Sequence, residues 1–333
     1  MDDKSNLHPI IDLHCDMPHY LATVSGADPH NGSDIGCAIP YLRQGNVKLQ
    51  IMAISSVEEH PDIAITEAQM AWIERLLTEY DGHFTLLNDT TAADQFLKSE
   101  GVTIISAVEN ASALCPPGEP LEKAFAMLED ITARTGKPLY ISLTHHGENR
   151  FGGGNRTDIG LKEDGRSLLE YITGRKIAVD LSHTSDALAH DIIDCVDSQR
   201  LNIPVIASHS NFRTIYDHRR NLPDELARAI IDRGGLIGIN FLRAFLHPEN
   251  PDYLTRHVVH GLEKGGRSAL ALGADYFCTN SHPDPSRIPF YFEQHEHAGK
   301  YQAVLDSLLP EMDNSTVAAI AYGNAVRFIE GLK

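Results

Sequence analysis

Seven side chains able to hold a metal ion or move a proton each stand just past a short apolar run, spread along 333 residues. His14 and Asp16 follow PIIDL, Glu109 follows VTIISAV, and His145 follows LYISLT. Further on, His183 follows KIAVDLS, His209 follows PVIAS, and Asp275 follows ALALGA. Nearly continuous Val, Ile and Leu runs are what strands buried on both faces look like. A fold that delivers functional side chains from the carboxyl ends of successive parallel strands is the (β/α)₈ TIM barrel, whose active site lies on that face. The pattern therefore predicts fold and site together.

The runs place eight strands over residues 9–13, 48–55, 102–108, 139–143, 177–181, 204–207, 235–240 and 269–273. Apolar residues at spacings of three and four predict helices between them, over 63–80, 121–134, 164–173, 185–197, 223–233 and 253–264, and C-terminal helices over 301–309 and 315–321. Ser185 is placed to cap one helix, and Pro223, Asp224 and Glu225 suit the first turn of another. No linker or repeat interrupts the chain, so one (β/α)₈ domain is expected over 1–333. The Gly-rich piece 151–154 and the stretch 280–294 read as loops on the active-site face.

A net charge of −18 argues against nucleic acid, which needs clustered Lys and Arg, and discourages docking on anionic lipid. Five scattered cysteines make no disulfide framework, and the first residues lack the apolar core of a secretory signal. Together with the lack of a run of roughly 20 apolar residues, this makes a cytoplasmic enzyme the expectation.

His14-Cys15-Asp16 is an H-x-D element at a strand end, where alternation sends the imidazole and the carboxylate the same way. Glu109 has two oxygens with which to bridge two ions, and His183 and His209 can complete the second. Imidazole and carboxylate without thiolate favour Zn²⁺, with Mn²⁺ or Co²⁺ as substitutes. Two ions per chain, roughly 3.5–4 Å apart, would share a hydroxide. His295-x-His297 also has the spacing of a metal pair, but its polar setting reads as solvated loop. Cys15 and Cys278 are taken as small buried hydrophobes without a role.

The ordered elements DLHCDMP, SAVENAS, YISLTHH, VDLSHTS, PVIASHS, RRNLPD, GGLIGINF and ALGADYF resemble the membrane (renal) dipeptidase family of binuclear zinc peptidases. The resemblance implies a (β/α)₈ barrel that cleaves dipeptides, often with a D-residue at the C-terminal position, and it allows a homodimer. It implies that His14, Asp16 and Glu109 bind one zinc, and that Glu109, His183 and His209 bind the other. His145 would polarise the scissile carbonyl, Arg220 would take the substrate carboxylate, and Asp275 would carry the proton to the leaving amine.

These roles are also chemically sensible. A hydroxide held between two cations is a nucleophile at neutral pH. An imidazole can donate to the developing oxyanion, and a guanidinium offers a bidentate fork to a free α-carboxylate. Asp275 can accept a proton and return it, or pair with the substrate ammonium. His146 and Arg219 neighbour the two favoured residues and compete for those roles, and Asn240 suits a structural role as well as a functional one.

The family pattern GxDFDG is altered here to Gly273-Ala274-Asp275-Tyr276-Phe277-Cys278, which keeps the first Asp and changes the loop behind it. Two rival readings stand beside the dipeptidase. One is another binuclear barrel hydrolase acting on a cyclic amide, lactone or phosphoester. The H-x-D at strand one, and the lack of a Lys at the end of strand four, count against it. The other is a catalytically retired homologue that binds metal and small peptides.

Overall fold

Each of the eight apolar runs forms a strand of one parallel barrel, because both faces of each strand find apolar cover. The computed structural model describes residues 7–56, 63–80, 82–88, 91–280 and 284–332. Its strands are β1 (Ile10–Cys15), β2 (Val47–Ser55), β3 (Phe84–Leu86), β4 (Val102–Glu109), β5 (Tyr140–Ser142), β6 (Ala178–Asp180), β7 (Val205–Ile206), β8 (Ile237–Ile239) and β9 (Leu270–Leu272). The pairing order is β7-β6-β5-β4-β2-β1-β9-β8. A parallel bridge from Ala207 to Ile237 joins the two ends and closes the ring.

β3 was not expected. It pairs with Val102–Ile104 of β4, on the edge that β5 meets only higher up, at Val108. Three residues are too short a run to show a period.

The alternation of side chains divides the core in two. Ile11, Leu13, Leu49, Ile51, Ile105, Tyr140, Ala178, Ile206 and Ala271 fill the barrel interior. Residues such as Ile10, Ile54, Ile104, Ile141, Val179, Val205 and Leu272 face the surrounding helices. Phe328 and Ile329, on the helix Asn324–Gly331, join the interior cluster. The side-chain amide of Asn324 donates to Leu270 O at the start of β9 (2.8 Å), so this helix caps the amino-terminal end of the barrel. That leaves the carboxyl end open for chemistry.

Helices fall where the periodicity put them: Ile63–Thr78, Glu122–Thr135, Glu163–Ile172, Asp186–Ser198, Asp224–Asp232, Tyr253–Glu263 and Tyr301–Leu308. Ser185 caps the fourth of these, its hydroxyl accepting from Leu188 N at 2.9 Å. The expected helix at 315–321 is Asn314–Ala318, continued by a π-helical stretch, Ala319–Gly323, into Asn324–Gly331. A further short helix, Met17–Thr23, starts directly after Asp16. Among the described residues no helix is long and apolar enough to cross a membrane.

Close packing beneath the site rests on two glycines. A Cβ on Gly238 would stand 1.9 Å from Ser208 O, and one on Gly273 would stand 2.1 Å from the same oxygen. Strands β8 and β9 approach the β7 end through these positions, and no other residue fits there.

Candidate metal centre

All seven strand-end residues lie at the carboxyl end of the barrel, and five of them form two overlapping groups. In His14, Asp16 and Glu109, one ligand atom from each lies within 4.8 Å of the others; the same holds for Glu109, His183 and His209. Glu109 is shared. Its Oε1 is 3.6 Å from His14 Nε2, 3.0 Å from His183 Nε2 and 3.4 Å from His209 Nε2. Asp275 joins from the far strand, with Oδ1 3.8 Å from His14 Nε2.

Local backbone geometry turns these side chains inward. The ladder between β1 and β2 shifts register between Asp12 and Cys15, the span that carries His14. Asn110 (φ 67°), His183 (φ 69°) and Asp275 (φ 63°) all adopt left-handed backbone, which non-glycine residues seldom do. Such conformations cluster at functional sites because the surrounding structure holds them there.

Hydrogen bonds set the histidine tautomers. The Tyr140 hydroxyl donates to Leu13 O (3.0 Å), so it accepts from His14 Nδ1 (2.7 Å), leaving the Nε2 lone pair toward Glu109. The Ser208 hydroxyl donates to Asp180 Oδ2 (2.6 Å) and accepts from His209 Nδ1 (2.6 Å), which frees His209 Nε2 in the same way. Asp180 is itself held by the amides of Ser182 and Ser208. Oriented imidazoles of this kind are the usual support for metal ligands.

The arrangement lacks positive charge. Burial, and then Arg220, push the His14 pKa down to about 3, and burial drives His183 and His209 well below the usual imidazole range. Burial first, then repulsion from Asp16 and Asp275, pushes Glu109 well up, while burial and Asp16 raise Asp275 to about 8. His183 Nε2 and His209 Nε2 nevertheless stand 3.0 Å apart, and the buried atoms His14 Nε2, Asp16 Oδ1 and His183 Nδ1 have no hydrogen-bond partner. Buried acceptors without a partner, the Nε2 lone pair of His14 and Asp16 Oδ1, are unfavourable and are satisfied by a cation lying among them. The donor set of three imidazoles and two carboxylates fits divalent cations such as zinc.

His145 and His146 both face this centre. With His183 they bring three nitrogens within 4.8 Å of one another, and His145 stacks on His183 with ring centroids 4.2 Å apart. His146 Nδ1 bonds Asn155 Oδ1 (2.8 Å), whereas the buried Nδ1 of His145 has no partner. The Gly-rich stretch expected on this face fixes the pair. Gly154 crosses so close that a Cβ there would meet His145 O at 2.3 Å and the His146 carbonyl carbon at 2.4 Å. Of the two neighbouring arginines, Arg219 reaches outward to Asp158 (3.4 Å). Arg220 is 3% exposed and donates to Ser210 Oγ (3.2 Å) and His209 O (3.3 Å). Among the described residues no carboxylate pairs with it.

Sequence reasoning missed Tyr140, Asp180 and Ser208, which lie inside apolar runs and carry no spacing signal of their own. It left Asn240 open; its side-chain amide donates to Asp275 Oδ2 (2.8 Å) and to His209 O (3.2 Å), joining the candidate proton carrier to a candidate ligand. The expectation for His295-x-His297 is corrected. His295 is buried, not solvated, with its ring edge-on to Phe241 at 5.3 Å, and His297 stacks on Tyr41 at 3.7 Å. The apolar neighbours come from distant segments, which a local reading does not see. Phe277, at the altered position of the strand-end loop, packs on Phe290 (5.3 Å), and Tyr291 donates to Asp275 O. Part of the unusual SHPDPSR segment, residues 281–283, lies outside the described residues. A groove of about 770 Å³ between the helices Tyr253–Glu263 and Tyr301–Leu308 contains none of the site residues, so size alone does not mark the chemistry.

Comparison with known proteins gives the family and the fold. The sequence model of the family described as membrane dipeptidase (peptidase family M19) matches residues 5–332. An uncharacterised dipeptidase of Schizosaccharomyces pombe is 25% identical over 302 residues, covering 80% of this chain and 69% of that protein. Among solved structures, the metallopeptidase "dipeptidase AC" superposes with a TM-score of 0.81 at 19% identity, covering 98% of both chains. A metallopeptidase from Rhodobacter sphaeroides, liganded with a phosphinate mimic of the dipeptide L-Ala-D-Ala, superposes with a TM-score of 0.79 at 18% identity, covering 98% of this chain and 99% of that one.

Proposed function

Because this chain belongs to the membrane dipeptidase family, peptidase family M19, and is therefore a hydrolase, we propose that it cleaves dipeptides at a two-zinc centre. In this reading His14, Asp16 and Glu109 hold one ion, and Glu109, His183 and His209 hold the other. The observation that carries it is Arg220, a buried guanidinium beside the centre with no carboxylate of its own. A free α-carboxylate on a short substrate satisfies it in a way that a lactone or phosphotriester does not.

When bound, divalent cations at these residues polarise the scissile carbonyl and lower the pKa of water. The protein's own groups do the rest. Arg220 anchors the C-terminal carboxylate and so fixes where the peptide bond lies. His145 is kept neutral by burial first and then by His146 and Arg220, and it gives its single N–H to the developing oxyanion. Asp275, held by Asn240, takes a proton at its carboxylate and returns it to the leaving amine. Acceptance of a D-residue at the C-terminal position is supported by the Rhodobacter sphaeroides relative, whose bound ligand mimics L-Ala-D-Ala.

The test is release of free amino acids from a panel of L-L and L-D dipeptides by the zinc-loaded protein. Glu109→Gln should abolish release and Asp275→Asn should slow it strongly. Full metal loading with no release from any dipeptide would sink the reading and favour a peptide-binding protein without turnover.

A further inference from the structure

Strand β1 and the end of β9 do not match residue for residue. Asp12 pairs with Leu272 and Cys15 with Tyr276, so Leu13 and His14 lie opposite Gly273, Ala274 and Asp275. An extra residue on one side of a ladder interrupts the pairing and re-aims a side chain there. Asp275 ends this interruption and takes the left-handed backbone, with φ 63°. Two ties to β1 bracket it. Asp16 N donates to Tyr276 O (3.0 Å), and Ala274 N donates to a side chain, Asp12 Oδ1 (3.0 Å).

Asp12 is fully buried, and donors surround its carboxylate. Oδ1 also accepts from His14 N (3.3 Å), and Oδ2 accepts from the Tyr301 hydroxyl (2.6 Å). Tyr301 is buried at the start of the helix Tyr301–Leu308, with its ring edge-on to Phe241 at 5.8 Å. Several donors fix a buried carboxylate in one orientation, since each one lost leaves charge unsatisfied. Asp180 repeats the pattern between β6 and β7. Its Oδ1 accepts from Ser182 N (3.0 Å) and Ser208 N (2.8 Å), and its Oδ2 from the Ser208 hydroxyl (2.6 Å). In both brackets the tied amide stands directly before a site residue, Ala274 before Asp275 and Ser208 before His209. The hydroxyl at Asp180 also accepts from His209 Nδ1, so that bracket serves a candidate metal ligand. The hydroxyl at Asp12 comes from a helix outside the barrel sheet, and its bracket ends at Asp275.

Resting on the dipeptidase reading, we propose that Asp12 and Tyr301 are positioning residues for the proton carrier Asp275. The Tyr301 hydroxyl fixes the Asp12 carboxylate, the carboxylate fixes the Ala274 amide, and the amide fixes the left-handed turn that aims Asp275 at the centre. Neither residue touches substrate or metal in this arrangement. Asn240 holds Oδ2 of Asp275 (2.8 Å), so the carrier is restrained at its side chain and, through Asp12, at its backbone. The Tyr301–Asp12 bond therefore acts on proton transfer and leaves substrate affinity alone.

The experiment measures kcat and KM for L-Ala-L-Ala and L-Ala-D-Ala with the zinc-loaded full chain, as wild type, Tyr301→Phe, Asp275→Asn and the double variant. Zinc content is measured on each, and crystal structures of the wild type and Tyr301→Phe are compared. Tyr301→Phe should lower kcat by about 10-fold or more, with KM within about twofold and zinc content unchanged. In the Asp275→Asn background the same substitution should change the residual rate little, because its effect runs through the carboxylate already removed. A ring that only packs would lower the rate equally in both backgrounds, and that result overturns the proposal. An unchanged kcat in Tyr301→Phe, or a rise in KM alone, also overturns it, while turnover by the wild type still upholds the dipeptidase reading. If the wild type hydrolyses no dipeptide, the dipeptidase reading falls and the crystal structures decide the rest. An Asp275 carboxylate displaced from Asn240 in Tyr301→Phe would keep the positioning role, and an unmoved one would remove it.

Discussion

The side-chain amide of Asn240 bridges Asp275 Oδ2, at 2.8 Å, and the backbone oxygen of His209, at 3.2 Å. One residue at the end of β8 thus sets the distance between the proposed proton carrier and a proposed metal ligand. Asn240 touches neither substrate nor metal in this reading, so it acts by positioning Asp275. Asn240→Ala should lower kcat for dipeptide hydrolysis by about 10-fold with little change in KM, as expected for loss of an interaction that matters in the transition state. Metal content should stay at the wild-type level. A rise in KM alone would place Asn240 in substrate binding instead.

Tyr140 holds His14 by accepting its Nδ1–H. Tyr140→Phe removes that acceptor and leaves the ring in place. Loss of such a partner weakens metal binding by about 10- to 100-fold. Competition with a chromophoric chelator measures it, and an unchanged affinity would mean that packing alone orients His14.

Metal binding should also show in stability. Cations bound to the folded centre and not to the unfolded chain raise the melting temperature by mass action. Protein dialysed against a strong chelator should melt lower than zinc-loaded protein and lose dipeptide hydrolysis, and added zinc should restore both. Glu109→Gln should blunt the thermal shift, because it weakens the residue common to both ligand groups.

Much of this was legible from residue order because barrel strands are short, apolar and buried on both faces, and ligands follow them directly. His14, Asp16, Glu109, His183, His209 and Asp275 announce themselves by position. Tyr140, Asp180 and Ser208 do not, since a tyrosine or serine inside an apolar run reads as packing until its partner across the barrel is known. β3 is too short to show a period, and the burial of His295 is imposed in part by Phe241, from a segment more than 50 residues away. What escaped the sequence is tertiary in origin.

Gly238 tests the packing beneath the site. Its missing side chain lets Ser208 O approach, and a Cβ there would sit 1.9 Å from that oxygen. Backbone on both sides cannot yield cheaply. Gly238→Ala should cost about 3 kcal/mol or more in urea unfolding, at the upper end for overpacking. Any folded fraction should bind metal poorly, since Ser208 orients His209. A cost below about 1 kcal/mol would show that the β7–β8 seam is pliant.

His257 gives a pH signature remote from the metal. It is buried as a neutral imidazole, accepting from Phe212 N (3.2 Å) and donating to Leu246 O (3.2 Å), and burial lowers its pKa to about 4. The unfolded chain takes up the proton near pH 6.5, the folded chain only near 4. Its contribution is therefore complete above about pH 6.5, declines as pH falls, and levels off below about 4, with a span of about 3 kcal/mol at most. His257→Gln should flatten the fall in urea midpoint between pH 6.5 and 4.5. A slope unchanged by the substitution would assign acid sensitivity to other groups.

The ligand groups around Glu109 draw on residues as far apart in the chain as His14 and His209. A chain emerging from the ribosome holds His14 and Asp16 for most of its synthesis with no second half to the site. A complete two-ion centre cannot template the early folding of such a polypeptide, because the last proposed ligand, His209, is added only after more than half of the chain is made. The strands through β7 have to be made first, so the complete centre is loaded into an architecture already largely built by its hydrophobic strands. Supply of metal in the cell should then limit how much of the protein is active, while leaving the amount that folds largely unchanged.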